Sequence, residues 1–361
     1  MPIDWKSLEG KPRVLIEAAL KPVAGTRIQP TGFPDLGAAS YDAPDGTPTL
    51  LVESAQSMAN RLEAVCWDEG ANELVPELRG LPYVRVKLAG VGEGTDTTTS
   101  LQEFHRLNSP YIMSGRTADG TAFAEILKPE LGMVAATARP RHGAAPTEAP
   151  ATEETVAATD KEPDDVAGVV NLRKLAAVCF KYDPNSLVHG VFLEKIAGRL
   201  RHPRALSAFI EASDVGRADS GGVKFDRVLP KPSVAGVDAK GGYGNVPFHR
   251  TEFTAKSITA YFSVDLAQIR GYGLGDDATK LLIALSLWKI RQFLNSSMRL
   301  RSACELEIDE NKTAGGLTVK RPEQFKLPAA TELTNDVKSL IAKCKFAEKP
   351  VTELTWNRPK G

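Results

Sequence analysis

Cysteine is scarce in this chain. Four residues in 361, Cys66, Cys179, Cys304 and Cys344, stand far apart, and no CxxC pair exists for zinc or redox chemistry. They read as reduced, mostly buried thiols. No apolar run reaches the length of a membrane span. The first residues, "MPIDWKSLEG", lack the basic-then-apolar layout of a signal peptide, so a cytoplasmic protein without a membrane role is expected. Nucleotide and hydrolase signatures are missing too: there is no GxxxxGK[ST], GxSxG, HExxH or EF-hand loop. The five histidines are scattered, with no two at metal-ligand spacing. No metal and no cofactor are expected.

Net charge is also lacking, because 45 Lys and Arg balance 45 Asp and Glu. The balance is uneven along the chain. Residues 1–170 hold 15 basic against 25 acidic side chains, and the remainder holds 30 against 20. A basic second half suits an anionic partner, and opposed halves suit head-to-tail packing of copies. Much of the acidic excess lies in residues 137–165, "TARPRHGAAPTEAPATEETVAATDKEPDD". This stretch of Ala, Pro, Thr and Glu without an aromatic cannot bury enough surface to order itself and reads as a disordered insertion.

Around that insertion, hydrophobic periodicity marks the elements. "RVLIEAAL" (13–20) and "YVRVKL" (83–88) read as strands, and residues 21–49, crowded with Pro, Gly and Asp, as a long loop of the kind that is either functional or disordered. "LLVESAQSMANRLEAVCWD" (50–68) reads as a helix with Leu51, Ala55, Met58, Leu62 and Val65 on one stripe. "SLQE" (100–103) resembles a capping box opening a helix that carries His105 and Arg106 and stops at Pro110. Further on, 169–180 reads as helical, and 204–215 fits either a strand or a helix, with strand preferred. Residues 216–250 read as aperiodic loops, 252–266 as a half-buried strand, and 276 to about 301 as a long buried helix. A late strand ("GLTVKRP") and a final amphipathic helix ("ELTNDVKSLIAKCKF") follow. Strands and helices mix without regular βα alternation, so the fold class is α+β.

The polar side of 50–68 is unusual. It offers Ser54, Gln56, Ser57, Asn60 and Arg61 where an ordinary solvated face carries Lys and Glu. Neutral donors of this kind contact phosphate and 2′-hydroxyl groups without reading sequence. Arg27, Arg106 and Arg116 lie among small polar residues. Arg217, Lys224, Arg227, Lys231, Lys240, Arg250 and Lys256 are interleaved with Phe225, Tyr243 and Phe248, a composition suited to a single nucleic-acid strand. His105 is either a surface histidine or a donor to phosphate or base. Asp35, in "GFPDLG", is the candidate for a metal-dependent activity, although no second carboxylate stands near it in the sequence.

Four stretches, "GTRIQPTGFPDLGAASYD", "LLVESAQSMANRLEAVCWD", "HRLNSPYI" and "GNVPFHRTEFTAKSI", resemble the repeated backbone subunit of type I CRISPR effector complexes, nearest to subtype I-G, formerly I-U. The resemblance implies a modified ferredoxin-like, RNA-recognition-motif palm with finger insertions and a thumb hairpin. Residues 1–136 would form the first part of the palm, 137–165 the insertion, and 166–361 the remainder, with the thumb at about 216–257. It implies a non-catalytic protein that stacks head to tail along CRISPR RNA as a filament. Its other partners would be the target DNA strand and the remaining effector-complex subunits. The site it implies comprises Arg27, Gln29, Ser54, Gln56, Ser57, Asn60, Arg61, His105, Arg106, Asn108, Arg250 and Lys256. The aromatic signature of ordinary RNA-recognition modules is missing, so the grip falls on the backbone, and Arg61→Ala is expected to weaken every guide about equally. The alternative is a metal-dependent ribonuclease that cuts target RNA through Asp35.

Overall fold

In the computed structural model, residues 1–33, 37–90, 96–135, 168–169, 171–194, 196, 200–227, 244–312 and 316–358 are described. The proposed insertion at 137–165 and Asp35 lie outside them. The principal strands are β1 (Arg13–Pro22), β2 (Arg27–Ile28), β3 (Ser40–Asp42), β4 (Pro48–Glu53), β5 (Tyr83–Ala89), β6 (Asp96–Thr99), β7 (Leu206–Lys224), β8 (Val246–Asp265), β9 (Arg299–Arg301), β10 (Cys304–Ile308), β11 (Leu317–Arg321) and β12 (Val351–Asn357). The principal helices are α1 (Ala55–Ala64), α2 (Leu172–Tyr182), α3 (Asp276–Asn295) and α4 (Ala330–Lys343).

The chain divides into two compact units. The first comprises Met1–Arg79, Ala205–Gly271 and Asp277–Cys344, and is built on a nine-stranded sheet of order β9-β10-β1-β8-β7-β4-β3, with β11 also on β1 and β2 on β8. Its named pairings are antiparallel. The fold is therefore α+β around a large antiparallel sheet.

Alternation decides which face of that sheet is dry, because successive strand side chains point to opposite sides. Val14, Ile16, Ala18 and Leu20 on β1 stand opposite Val264, Phe262, Ala260 and Ile258 on β8, and all eight are buried. Leu206, Ala208, Ile210 and Ala212 extend the layer onto β7. Helix α3 covers it, with Phe293 edge-on to Phe262 at 6.3 Å between ring centres. Trp288 of α3 donates its indole N–H to Thr334 Oγ1 of α4 at 3.0 Å.

The second unit, Gly80–Arg204, Tyr272–Asp276 and Lys345–Gly361, holds a three-stranded sheet in which β5 pairs antiparallel with β6 and parallel with β12. Its core includes Phe123, edge-on to Tyr182 of α2 at 5.0 Å.

Four local expectations are corrected. Leu50–Glu53 end strand β4 instead of opening the helix. Leu51 and Leu50 pair with Glu211 and Ala212 of β7, and Ser54 caps a shorter helix by accepting from the Ser57 amide. The periodicity ran unbroken across a strand-to-helix junction, so nothing in it marked the join. "SLQE" caps no helix. The Ser100 hydroxyl accepts from the Val84 amide, and Glu103 accepts from Thr98. Arg106–Asn108 form one 3-10 turn, and Pro110 opens a short helix, Pro110–Met113, instead of closing one. Helix α3 ends at Asn295, after which Arg299–Arg301 become a strand. Finally, residues 216–224 and 246–250 continue β7 and β8, and the 21–49 segment contains short strands. The free cysteines agree with expectation: Cys66, Cys179 and Cys304 are buried and Cys344 half-buried. Among the described residues no helix is long and apolar enough to cross a membrane.

Truncating a ring on the dry face leaves a cavity that the α3 contact cannot close. Phe262→Ala is expected to destabilise the first unit by about 4 kcal/mol. Ser263→Ala, on the opposite face of the same strand, should leave the urea midpoint almost unchanged.

Candidate nucleic-acid interface

Beyond the core, β7 and β8 form a two-stranded arm. From Asp214 to Lys224 no residue of β7 is buried, and between Val246 and Ser257 on β8 only Glu252 and Phe253 are. The ladder skips Asp214, whose φ is positive, and continues in the same register to Lys224 opposite Val246. Gly221 and Gly222 allow a close crossing there. A Cβ on Gly221 would lie 2.4 Å from the Phe248 carbonyl oxygen, and one on Gly222 would lie 3.3 Å from the Phe248 ring. Arg250 stands over that ring at 5.8 Å, and Phe225 is 79% exposed.

Cations on the arm are paired, Arg217 and Lys256 in water and Arg250 with a buried carboxylate. Arg217 donates to Asp219 at 2.9 Å, with both side chains more than half exposed. Thr251 also donates to Asp219, and the Arg217 bond holds that carboxyl below its usual range. Lys256 lies 3.6 Å from Asp214 and is 80% exposed. Arg27, on β2, donates to Glu252 at 3.0 Å, while Ser220 donates to the same carboxylate and Arg250 stands 3.9 Å from it. One buried carboxylate thus serves two guanidinium groups. A cleft of about 740 Å³ opens beside the arm, lined by Gln29, Thr31, Arg217, Thr251, Phe253 and Arg301, among others.

Helix α1 behaves differently. Glu53, fully buried at the end of β4, accepts from Arg61 Nε at 2.8 Å and from the Ser57 hydroxyl, and is ion-paired with Arg301. Arg61 also donates to the Arg299 and Leu300 carbonyls, and Arg301 to those of Gln29 and Val52. Burial draws both guanidinium pKa values down. Ser54, Ser57 and Arg61 are therefore used within the fold, and the expectation of a free polar helix edge is corrected for these three. Gln56 remains exposed and Asn60 half-buried. Gln29 is held through its backbone, which bonds Ala303 and Arg301.

Magnitudes separate the two groups of cations. An exposed ion pair contributes about 0–1 kcal/mol, so a phosphate can replace its carboxylate at little cost. Breaking a buried pair costs about 3–5 kcal/mol. Arg217 and Lys256 are available to a ligand on this ground, whereas Arg61 and Arg301 are committed to Glu53, and Arg27 and Arg250 share the buried Glu252 while keeping part of their own surface in water.

In the second unit His105 is exposed, and Arg106 is buried with positive φ, donating to the Gly190 carbonyl at 3.2 Å. Asn108 accepts from the Glu194 amide. Arg106 is thus a structural cation and His105 an exposed side chain. Sequence reasoning left Arg217 outside the site proper and missed Glu53, Glu252 and Arg301 altogether. Arg301 carries no local signal at all, since its partners lie some 250 and 270 positions away in sequence. Among the described residues no group of three or more His, Cys, Asp or Glu could hold a metal ion.

A family model described as CRISPR-associated protein GSU0053 matches residues 14–217. No curated protein matches the chain. Among solved structures, a chain of a "CRISPR RNA-guided surveillance complex, pre-nicking" is 14% identical over 96% of both chains at a TM-score of 0.40. Csc2 of Thermofilum pendens is 9% identical over 95% of this chain and 80% of its own, at a TM-score of 0.29. Scores this low carry no argument.

Arg61→Ala is expected to cost about 3 kcal/mol, because it removes a partner of a buried carboxylate. Lys256→Ala should leave the urea midpoint where it is. Equal midpoints for the two variants would show that Glu53 does not organise this corner.

Proposed function

The chain belongs to the CRISPR-associated protein GSU0053 family, and from that premise we propose that it is a non-catalytic, RNA-binding backbone subunit of a CRISPR effector complex of subtype I-G. In this reading the nine-stranded sheet is a modified ferredoxin-like, RNA-recognition palm, and the β7–β8 arm is its thumb. Copies stack head to tail on CRISPR RNA, leaving bases free to pair with target DNA, and other effector subunits join the filament in the cytoplasm.

One observation carries the proposal: beyond Glu252 and Phe253 the arm is open on both faces. A lone two-stranded ribbon is marginal in water, so a partner that covers it also stabilises it. Among its described residues, with Arg27, Lys and Arg outnumber carboxylates six to four, which favours an anionic partner. Arg27, Gln29, Gln56, Asn60, Arg217, Arg250 and Lys256 are the contacts, reaching phosphate and sugar. Phe225 and Phe248 offer ring faces to an unpaired base. Ser54, Ser57 and Arg61 act one step back, holding α1 and the loop that carries Gln29.

Binding of mixed-sequence single-stranded RNA should weaken with salt by about 0.7 log per log for each phosphate neutralised. The triple variant Arg217→Ala, Arg250→Ala, Lys256→Ala is expected to flatten that slope by about 2, equally for unrelated sequences, as read by fluorescence anisotropy across a salt series. An unchanged slope, or a loss confined to some sequences, would sink the proposal. For the non-catalytic half, complementary RNA incubated with magnesium should stay intact. Cleavage that disappears in Asp35→Ala would establish a ribonuclease instead.

A further inference from the structure

The side of the first unit's sheet opposite α3 carries a second recessed site. Its residues are the alternate members of the strands that build the core. Phe209 of β7 stacks on Tyr261 of β8, ring centres 5.0 Å apart and planes 25° from parallel. Next along the ladder Glu211 faces Thr259 and Ser213 faces Ser257. Tyr41, on the sheet-edge strand β3, donates its phenol to Glu211. Apart from Phe209, which backs Tyr261, these residues line a cleft of about 500 Å³ together with Asp42 and Thr49. Glu17 faces Tyr261 across the β1–β8 pair, with Lys320 3.4 Å from its carboxylate.

Among the described residues lining this cleft there is no lysine or arginine. Two carboxylates and two phenols without a cation repel phosphate and attract a positive group. Burial and the neighbouring carboxylates raise the pKa of both Tyr41 and Tyr261, so both phenols stay neutral. The Glu211 carboxylate spends one acceptor site on Tyr41 and keeps others for a planar donor fork. A guanidinium bonded there would lie near the Tyr41 and Tyr261 rings, whose electron-rich faces attract cations.

We propose that this cleft, walled by Tyr41 and Tyr261 with Glu211 at its base, binds an arginine side chain presented by a partner protein. Charge complementarity selects the occupant. The cleft admits one side chain rather than a strand, and its hydroxyl and carboxylate lining offers acceptors matched to the five N–H groups of a guanidinium. Nucleic acid is excluded from this sheet face by the same charges. The site stands on its own geometry and does not depend on RNA binding by the arm.

The probe is the peptide acetyl-Gly-Arg-Gly-amide, compared with its citrulline analogue, which has nearly the same shape but no charge, by saturation-transfer NMR on the full chain. The arginine peptide is expected to bind at least tenfold more tightly than the citrulline peptide. Glu211→Gln and Tyr261→Leu should each weaken it at least fivefold, with unchanged circular dichroism. Inorganic phosphate should not compete. Equal affinity for the two peptides, full affinity in both variants, or displacement by phosphate would each overturn the proposal. Glu211→Gln should keep the salt slope for RNA, so failure here is distinguishable from failure of the RNA-binding reading.

Discussion

Everything in the first unit is hung on one hydrogen-bonded ladder, the pairing of β7 with β8. Its inner half is anchored by burial: Leu206, Ala208, Ile210 and Ala212 meet Val264, Phe262, Ala260 and Ile258 on the dry side of the sheet. Its outer half has almost no core of its own. The same register runs through both, so the buried half dictates the position of every residue on the open half. A slip of one residue in the core would turn each cation on the arm to the opposite face. The apolar residues around Phe262 therefore determine where Arg217 and Arg250 point, although they lie well back along the ladder.

Desolvation divides the cations of this unit into two kinds. Glu53 has lost all contact with water, and a lone buried carboxylate is costly. Arg61 and Arg301 meet that cost jointly, and each also donates to two backbone carbonyls, Arg61 to Arg299 and Leu300 and Arg301 to Gln29 and Val52. The cluster joins strand β4, helix α1, the 29–31 turn and strand β9. On the arm, by contrast, the acidic partners Asp214 and Asp219 remain hydrated and hold their cations loosely. Loose pairs keep side chains extended yet exchangeable, which suits a surface that trades carboxylate for phosphate.

The elements legible in the sequence were those whose period is local. The buried strands β1 and β8, helices α2 and α4, and the mixed α+β class all follow from alternation or helical spacing. The failures have physical causes. The β4–α1 junction was hidden because Leu51, Met58 and Leu62 keep helical spacing across a strand end. The outer part of the arm reads as loop because its strands bury almost nothing, so no alternation of apolar and polar residues marks them. Its Gly221 and Gly222, ordinary signs of a loop, serve here to admit the Phe248 backbone and ring. Arg61 stands out in the sequence as an odd residue on a polar face, but the sequence does not reveal that the carboxylate eight positions upstream is buried and claims it. Arg106 is the same case, a cation on a turn whose partner carbonyl, Gly190, lies far along the chain.

Charge bookkeeping along the chain suggested an acidic first half and a basic second half, but the described structure distributes charge by face. In the first unit, Glu17 and Asp42 from the early sequence stand beside Glu211 from the later one on the outer side of the sheet. Arg27 joins Arg217, Arg250 and Lys256 around the arm. A neutral chain can in this way present an anionic hollow and a cationic ribbon from the same two strands. Because β7 and β8 contribute to both, an anionic strand laid on the arm would meet repulsion as it nears Glu211. With a Debye length of about 8 Å at physiological ionic strength, that repulsion acts only within a residue or two of the hollow. The ladder can therefore confine an anionic ligand to its outer half without any wall between the two sites.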